Sequence, residues 1–471
     1  MNLLSRCSGR LLLVSYTLLV SATLHAEPVT EVDASTRLQI EKMVQKELID
    51  KGAPSASIAI VLDGHLAYAQ AFGNATISPA RAAKPEMRYG IGSISKQFLA
   101  VAMLMLEGQG RLSLDDKVSK YITDAGPAGD ATIRQLLSHT AGIRDYWPQD
   151  YLFKDMLTPI SHEALLARWA KQPLDFELGS KWQYSNTGYV QAGVIFEKVA
   201  GQSLFSFLQA NVFTPLKMTS VIDVDTGALA ANDATGYTSY GLGSPEIAPK
   251  SSPGWLFAMG ELAMTAEDLA KWNISIIDQS LLSKSGYQAL ERETMLNNGV
   301  GSHYGLGLDV GMKNEMRVIG HSGEISGFVS NDIIYPENRF AVAVLTNIDA
   351  NSAAESISDK LSKLLLNKVS SDDSAHIEVA KGIFKQLQQG KIDRSLFSEN
   401  GNAYFSKKAL EETGRHLTQF GAVKSFELTG TSTRGGMITR RYTVSMAKKT
   451  VKIVTRTLSS GAIEQYTLAS Q

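Results

Sequence analysis

The hydrophobic pattern predicts strands at both ends of a large region of this chain. Residues 36–52 have apolar positions at helical spacing and end at Gly52. The run "SIAIVLDGHLAYAQAFG" follows, and its two β-rich halves flank Asp63 and Gly64, which is a strong signal for a hairpin. Strand patterns return within residues 304–347, and a last helix is predicted over 352–366.

The segments between these strands are mostly helical. Residues 94–106 are apolar on every side, which predicts a buried helix. Strands at both ends with helices between them favour one mainly antiparallel sheet flanked by helices, in which the first hairpin pairs with the late strands. The fold class is therefore α/β (α+β), with an inserted helical lobe beside the sheet. A substrate is expected in the cleft between the lobe and the sheet.

The C-terminal part differs from the rest in charge. From residue 372 onward there are 15 Lys and Arg against 9 Asp and Glu, whereas residues 27–371 hold 29 basic and 38 acidic residues. The polar stretch 367–376 predicts a linker. Residues 377–471 then predict a small α+β accessory domain with two helices and three or four strands, in which we find no catalytic motif.

The first 26 residues resemble a secretory signal peptide. Arg6 and Arg10 precede the short apolar run "LLLVSYTLLV", and small residues lead to Ala26. The apolar run is too short to span a bilayer comfortably, which argues against a stable membrane anchor. We therefore expect cleavage after about residue 26 and a periplasmic or secreted protein whose main domain covers residues 27–366.

Composition narrows the chemistry further. With 471 residues and 44% apolar content, the chain can bury a sizeable core, and its net charge of −1 does not point to nucleic acid. The single cysteine, Cys7, lies within the predicted signal peptide. The mature chain would then have no disulfide, no thiol nucleophile and no cysteine metal ligand.

The buried helix begins with an unusual polar pair. Ser93 and Lys96 are three residues apart and share one face of the first turn, whereas Ser95 points elsewhere. Burial and the positive end of the helix both lower the pKa of a lysine at that place. Such a lysine can accept the proton of the serine and make it a nucleophile. The alternative is a serine that caps a core helix and a lysine that extends to water.

A second motif, Tyr184-Ser-Asn186, lies where the pattern predicts a loop leading into a helix. Tyr184 offers a phenol hydroxyl for proton transfer, and Asn186 offers an amide that can orient the lysine or a substrate carbonyl. The alternative is an aromatic packing residue beside a turn asparagine.

The third motif is His321-Ser-Gly323, near the end of a predicted strand. A glycine at that place would let a substrate backbone approach closely. The N–H of Glu324 could then join the N–H of Ser93 in binding an oxyanion. Each motif is weak alone, because Ser445 and Lys448 repeat the first spacing and residues 303–305 repeat the third.

Together and in this order, the three motifs resemble those of the serine hydrolases that include class C β-lactamases, low-molecular-weight penicillin-binding proteins, D-amino-acid peptidases and related esterases. The segments "TIRQLLSHTAGI", "MTAEDLAKW" and "YGLGL" also resemble this family, over about residues 30–366. The resemblance implies a β-lactamase/transpeptidase-like fold and an acyl-enzyme on Ser93. It implies that Lys96 and Tyr184 exchange the proton of the serine, that Asn186 and His321 line the pocket, and that no metal or other cofactor takes part.

Two features of the surroundings qualify this resemblance. His139 in "LLSHTAGI" could suggest a general base, but the family segment is structural and a core histidine is the preferred interpretation. Glu261 and Met264 stand where relatives usually have glycine and serine, so we expect a changed cleft wall.

The third motif bears on the substrate, since histidine replaces the lysine of many relatives. A histidine is mostly neutral at pH 7 and contributes little charge toward a substrate carboxylate. Slow or absent β-lactam hydrolysis is therefore expected, with a D-amino-acid peptide or a related small molecule as substrate, such as a peptidoglycan fragment. A carboxylesterase, a weak β-lactamase and a catalytically silent peptidoglycan- or β-lactam-binding protein remain alternatives. Nucleic acid is not expected as a partner, and the sequence does not determine the oligomeric state.

Overall fold

The computed structural model describes residues 31–470, except 150, 242, 314–315, 370–371 and 459. The predicted signal peptide, residues 1–26, lies outside the described residues. The helices are α1 (Ala34–Lys51), α2 (Ser95–Gly108), α3 (Ile133–Leu137), α4 (His162–Trp169), α5 (Asn186–Ala200), α6 (Leu204–Leu208), α7 (Ala266–Ile277), α8 (Lys284–Glu291), α9 (Ala353–Val369), α10 (Asp372–Gln388), α11 (Glu399–Tyr404) and α12 (Lys407–Gln419).

The strands fall into a large sheet, a C-terminal sheet and two short ones. They are β1 (Ser55–Leu62), β2 (His65–Thr76), β3 (Arg81–Ala82), β4 (Tyr89–Gly90), β5 (Ile222–Asp223), β6 (Tyr237–Thr238), β7 (Glu246–Ile247), β8 (Leu262–Met264), β9 (Asp309–Lys313), β10 (Met316–Ile325), β11 (Phe328–Tyr335), β12 (Phe340–Thr346), β13 (Val423–Arg434), β14 (Met437–Met446), β15 (Thr450–Thr457) and β16 (Ile463–Ser470). The pattern "YGLGLDV" was predicted as a strand, but only its last two residues are extended in β9.

The large sheet has seven strands in the order β3-β2-β1-β12-β11-β10-β9. The first hairpin, β1 and β2, joins the late strands through an antiparallel pairing of β1 with β12, from Ala56 opposite Thr346 to Val61 opposite Ala341. The mainly antiparallel sheet predicted from the sequence is therefore confirmed.

Both faces of this sheet are covered. Successive residues of β1 point to opposite faces of the sheet, and the residues on both faces are buried. Ile58 and Ile60 belong to a buried cluster with residues of α1 and α9. Ala59 and Val61 belong to the larger cluster on the other face, which also contains residues of α2, α5 and α7. A strand buried on both sides has no polar alternation, as the continuous apolar run of β1 indicates.

The helical lobe consists of α2 to α6 and lies in sequence between β4 and β8. Its central helix, α2, is buried all round, as shown by Phe98, Leu99, Val101 and Met103. Because α2 has no polar face over its first three turns, protein surrounds it there, and its first turn lies inside the molecule.

The C-terminal residues form α10 to α12 and the four-stranded sheet β13-β14-β15-β16. They have a hydrophobic cluster of their own, which includes Ile383, Leu387, Val444 and Ile453. The predicted linker 367–376 is largely helical where it is described, since α9 continues to Val369 and α10 begins at Asp372. The division of the chain into domains stays a prediction.

The described helices and titratable side chains bear on two other classes of protein, those that span a membrane and those that hold a metal ion. Among residues 31–470 with the gaps given above, none of the helices combines the length and apolarity needed to cross a bilayer. The same residues contain no group of three or more His, Cys, Asp or Glu side chains that could hold a metal ion.

Candidate active site

Ser93 and Lys96 lie at the start of the buried helix, as the sequence predicted. Ser93 is in a 3₁₀ turn (Gly92–Ile94) that continues directly into α2, and Lys96 is the second residue of α2. The alternative interpretation of this pair is wrong, because the side chain of Ser93 caps no helix end and Lys96 is 0% exposed. Ser95, which was expected to point elsewhere, accepts a hydrogen bond from the N–H of Leu262.

Three side chains meet at the hydroxyl of Ser93. Its Oγ lies 3.0 Å from Nζ of Lys96 and accepts a hydrogen bond of 2.7 Å from the phenol of Tyr184. Nζ of Lys96 also lies 4.8 Å from the centre of the Tyr184 ring. The structure therefore brings together the three residues that the sequence predicted as catalytic.

Burial sets the protonation of both neighbours of Ser93. It lowers the pKa of Lys96 well below its usual value, against the opposing charge of Asp145. Burial also raises the pKa of Tyr184 well above that of a free phenol, so Tyr184 is a proton donor at neutral pH. A lysine with a depressed pKa can act as a base, and the tyrosine can return a proton.

Asn186 is the first residue of α5, whose N-cap is Ser185. The serine hydroxyl accepts from the N–H of Gly188, which is the capping geometry that starts such a helix. Oδ1 of Asn186 accepts a hydrogen bond of 2.9 Å from Lys96. Of the two roles predicted for Asn186, the structure shows the contact with the lysine.

His321 lies on β10 with both ring nitrogens engaged inside the protein. Nδ1 contacts the backbone carbonyl of Ser322, which can only accept, and Nε2 lies 2.8 Å from the phenol of Tyr304. Nδ1 is therefore the protonated nitrogen, and Tyr304 donates to Nε2. Burial, followed by the charge of Lys96, lowers the pKa of His321 to about 4. The ring is neutral at pH 7.

The structure gives a reason of its own for the glycine at position 323, and the predicted approach of a substrate backbone stays a prediction. A Cβ there would lie 1.9 Å from the backbone oxygen of Ile91, so the chain that approaches closely is the protein's own. At Gly92, which has a φ of +53°, a Cβ would lie 2.6 Å from the backbone nitrogen of Glu324. These contacts hold the end of β10 against the residue before Ser93. The oxyanion role of Glu324 stays a prediction.

A cavity of about 1150 Å³ opens beside Ser93. Tyr184, Asn186 and His321 are among its lining residues, together with aromatic side chains such as Trp147. The sequence led us to expect that Glu261 and Met264 change the cleft wall. Both are buried, and neither lies among the described residues that line this cavity.

The sequence also offered other candidates for the catalytic residues, from the repeated motif spacings and from His139. None of these candidates lines the cavity beside Ser93. Lys448 is exposed in a turn after β14, and the side chain of His303 is 85% exposed. His139 is a core residue, and its Nδ1 accepts from the N–H of Ser185 at 3.0 Å. Arg317, on the same strand as His321, pairs with Glu291 at 2.7 Å and is not among the described residues that line the cavity.

Three residues of the site were not found from the sequence. Asp145 binds the backbone N–H of Asn186 at 3.0 Å and its side-chain amide at 3.2 Å. The carbonyl of Met259 accepts from Lys96 at 2.7 Å, and Tyr304 contacts His321. An acid six residues after His139 is a sequence signal for Asp145, whereas a backbone carbonyl leaves none.

Comparison with known proteins agrees with this geometry. The chain matches the Beta-lactamase family model over residues 40–365. Protein flp of Staphylococcus aureus (strain N315) is 26% identical over 332 residues, which cover 68% of this chain and 65% of flp. Penicillin-binding protein 4* of Bacillus subtilis (strain 168) is 26% identical over 315 residues, 62% of this chain and 68% of that protein. The match to flp thus spans less than two thirds of that relative's length.

Solved structures share the fold. A D-stereospecific amidohydrolase from Streptomyces sp. aligns with a TM-score of 0.60 and 25% identity, over 68% of this chain and 96% of its own. An octameric penicillin-binding protein homologue from Pyrococcus abyssi aligns with a TM-score of 0.60 and 22% identity, over 92% of this chain and 95% of its own. The second likeness supports the fold alone, and it extends into the C-terminal residues.

Proposed function

The chain belongs to the beta-lactamase family, and we propose that it is a serine hydrolase of that group, which cleaves an amide or ester through an acyl-enzyme on Ser93. The observation that carries this proposal is the contact of Ser93 Oγ with both Lys96 and Tyr184 at the edge of a cavity. Hydroxyl, amine and phenol are the groups that a nucleophile and its proton acceptor and donor require.

The proposed reaction has two steps. Ser93 Oγ attacks the carbonyl carbon of the substrate while its proton passes to the amine of Lys96, and the phenol of Tyr184 protonates the leaving group. The bond between the carbonyl carbon and the leaving group breaks, which leaves an ester on Ser93. In the second step the phenolate of Tyr184 takes a proton from water, which attacks the ester carbonyl. The bond between that carbon and Ser93 Oγ breaks, and the ammonium of Lys96 returns its proton to Ser93, so that all three side chains regain their starting forms. The backbone N–H groups of Ser93 and Glu324 are the proposed oxyanion donors.

The proposed substrate has no carboxylate next to the bond that is cut. His321 is neutral and uses both ring nitrogens within the protein. Among the described residues that line the cavity, Arg144 is the one with a permanent positive charge, and it pairs with Asp175 at 2.8 Å. A carboxylate would therefore meet no unpaired cation there.

Small D-amino-acid amides, peptides and esters fit this requirement better than β-lactams do. The 25% identical amidohydrolase from Streptomyces sp. is described as D-stereospecific, which supports substrates of that class. A DD-carboxypeptidase-like reaction stays within the proposal only if a group other than His321 binds the terminal carboxylate of the peptide. Esterase activity is the second candidate, because it needs the same groups and an easier leaving group.

The test compares the wild type with Ser93→Ala on a panel of a penicillin, a D-Ala-D-Ala peptide, a D-amino-acid amide and a p-nitrophenyl ester. Product release and intact mass are measured for each. We expect turnover of the amide or the ester by the wild type alone, and slow or absent turnover of the penicillin. Rapid penicillin turnover would contradict the substrate assignment, and equal turnover by Ser93→Ala would contradict the mechanism. A wild type that binds the panel but never reacts would favour the silent binding protein.

Export is part of the same proposal. It rests on the basic, apolar and small-residue order of the first 26 residues. N-terminal sequencing of the protein recovered outside the cytoplasm should begin near residue 27, and an intact Met1 on that protein would contradict it.

A further inference from the structure

The amine of Lys96 is held by two acceptors besides the nucleophile. Nζ donates to Oδ1 of Asn186 at 2.9 Å and to the carbonyl of Met259 at 2.7 Å. These two bonds fix the direction of the amine, and so they aim it at Ser93 Oγ. Whatever holds the two acceptors in place therefore controls the geometry of proton transfer.

Asp145 holds the first acceptor. It accepts the backbone N–H of Asn186 on Oδ1 and the side-chain amide on Oδ2, at 3.0 and 3.2 Å. With its Nδ2 bound to a carboxylate, the amide of Asn186 can present only its oxygen to Lys96. The N–H of Trp147 also donates to Oδ1 of Asp145, at 3.3 Å, which fixes the carboxylate itself.

Glu261 holds the second acceptor. Its Oε2 accepts the N–H of Ala258 at 2.7 Å, and Ala258 has a φ of +59°, in the left-handed region that a residue with a Cβ seldom adopts. On helix α5, a Cβ at Gly193 would lie 2.4 Å from the Cβ of Ala258, so the glycine leaves room for this turn. The turn directs the carbonyl of the next residue, Met259, to Lys96.

We propose that Asp145 and Glu261 are positioning residues for Lys96, each of which fixes one of the two acceptors that hold its amine against Ser93. This inference rests on the proposed function, because it assigns the two carboxyl groups to the acylation of Ser93.

Burial raises the pKa of Asp145, against the backbone N–H groups of Trp147 and Asn186 and the charge of Lys96. Asp145 raises the pKa of Lys96, against the larger lowering by burial. For Glu261, burial and the nearby charges of Asp223, Asp225 and Glu197 hold the pKa well above its usual value, against the N–H of Ala258. Its uncharged form is therefore favoured over that of a free glutamate, and the role proposed for Glu261 is geometric.

The histidines and tyrosines around Lys96 are neutral, whereas Asp309, whose charge acts on Tyr184 and Tyr304, has a pKa of about 6 and is unchanged in a variant of Asp145. Burial lowers the pKa of His139 and His321 and raises that of Tyr184, Tyr189 and Tyr304. A change in the protonation of Lys96 after substitution of Asp145 can thus be attributed to the lost carboxylate.

The experiment measures the rate at which a fluorophosphonate probe phosphonylates Ser93 in the full chain, by intact mass, as a function of pH. The serine oxygen attacks phosphorus and fluoride leaves, and, as in acylation, the neutral amine of Lys96 must take the serine proton. The labelling rate therefore rises with pH through the pKa of Lys96. In Asp145→Asn the lost negative charge lowers that pKa, and the rise should move about one pH unit lower. The plateau rate should fall at least fivefold, because an amide cannot accept both bonds from Asn186.

Glu261 is tested by a matched pair. Glu261→Gln keeps an acceptor for Ala258 and should leave both the plateau and the pH of the rise close to the wild type. Glu261→Met keeps the buried volume without a strong acceptor, and its plateau should fall at least tenfold. Circular dichroism and thermal unfolding check that each variant is folded. If Glu261→Met does not fold, Glu261→Asp takes its place, since its shorter carboxyl cannot reach Ala258.

If the labelling rate of Asp145→Asn rises at the same pH as that of the wild type, or reaches the same plateau, the role of Asp145 is overturned. Equal plateaus in the members of the Glu261 pair overturn the role of Glu261. Wild-type labelling that Ser93→Ala does not abolish overturns the proposed function and this inference with it. Labelling of Ser93 in the wild type together with unchanged variants overturns the inference alone.

Discussion

Nε2 of His321 lies 2.8 Å from the phenol oxygen of Tyr304. Because Tyr304 belongs to the rival motif 303–305, a residue that looked like a competitor is a partner of the site. The bond leaves the imidazole neutral and turned toward the protein. It also explains how a histidine can occupy this place without presenting charge to the cavity.

A cation at position 321 should therefore change substrate preference. In His321→Lys we expect acylation by a penicillin to rise about tenfold at pH 7, because a charge-assisted hydrogen bond to its carboxylate contributes about 1.5–3 kcal/mol. The rate is obtained by quenching the reaction at set times and measuring the fraction of acyl-enzyme by intact mass. His321→Gln is the neutral control, and a lysine variant no faster than the glutamine variant would show that charge is not limiting.

Replacing the buried amine should separate activity from stability. Lys96→Met removes the base, and acylation of Ser93 is expected to fall at least 10³-fold. The folded protein should be as stable or more stable, since a polar group that is costly to bury becomes an apolar one of similar length. Urea unfolding and probe labelling measure the two effects. A large loss of stability would mean that the amine serves the fold more than the chemistry.

The backbone contact at Gly323 should tolerate no side chain. In Gly323→Ala the added Cβ would meet the oxygen of Ile91, so we expect at least about 1–3 kcal/mol of lost stability and loss of acylation. Gly108→Ala is the control, because nothing lies within 4 Å of a Cβ at that position in α2. Equal unfolding free energies of the two variants would contradict the close approach.

Asp332 should make stability depend on pH. This aspartate is buried on β11 with hydrogen bonds from Asn273 and Gln97, and burial raises its pKa to about 7. Its pKa in the unfolded chain is about 3.9, so the folded state binds the proton more tightly between these values. Stability is therefore lost as the pH rises from about 4 through 7.

Asp332→Asn should remove this loss and become more stable than the wild type by up to about 4 kcal/mol above pH 8. Urea unfolding at pH 5 and pH 9 measures the difference. Asp63→Asn, at a half-exposed turn, is the control and should behave as the wild type does. If the free energies of unfolding of Asp332→Asn and the wild type differ by the same amount at pH 5 and pH 9, the raised pKa is refuted.

How much the sequence could predict depends on whether the feature is local. The spacing of Ser93 and Lys96 lies within one helical turn, and so it predicted their contact. The pairing of the first hairpin with the late strands followed from strand patterns at both ends of the region with helices between them. Met259 acts through its carbonyl, and Glu261 acts through the N–H of Ala258, so neither leaves a side-chain motif. The close contact of Gly323 with Ile91 joins segments more than 200 residues apart, which no local pattern reports.

The pairing of β1 with β12 has a consequence for the folding of the chain during its synthesis. Partners such as Ala56 and Thr346 are synthesised nearly a whole domain apart, so the first hairpin must wait with one open edge while the lobe is made. An open edge recruits other strands. Folding is therefore expected to be slow, and chains truncated before Phe340 should aggregate rather than accumulate as soluble fragments.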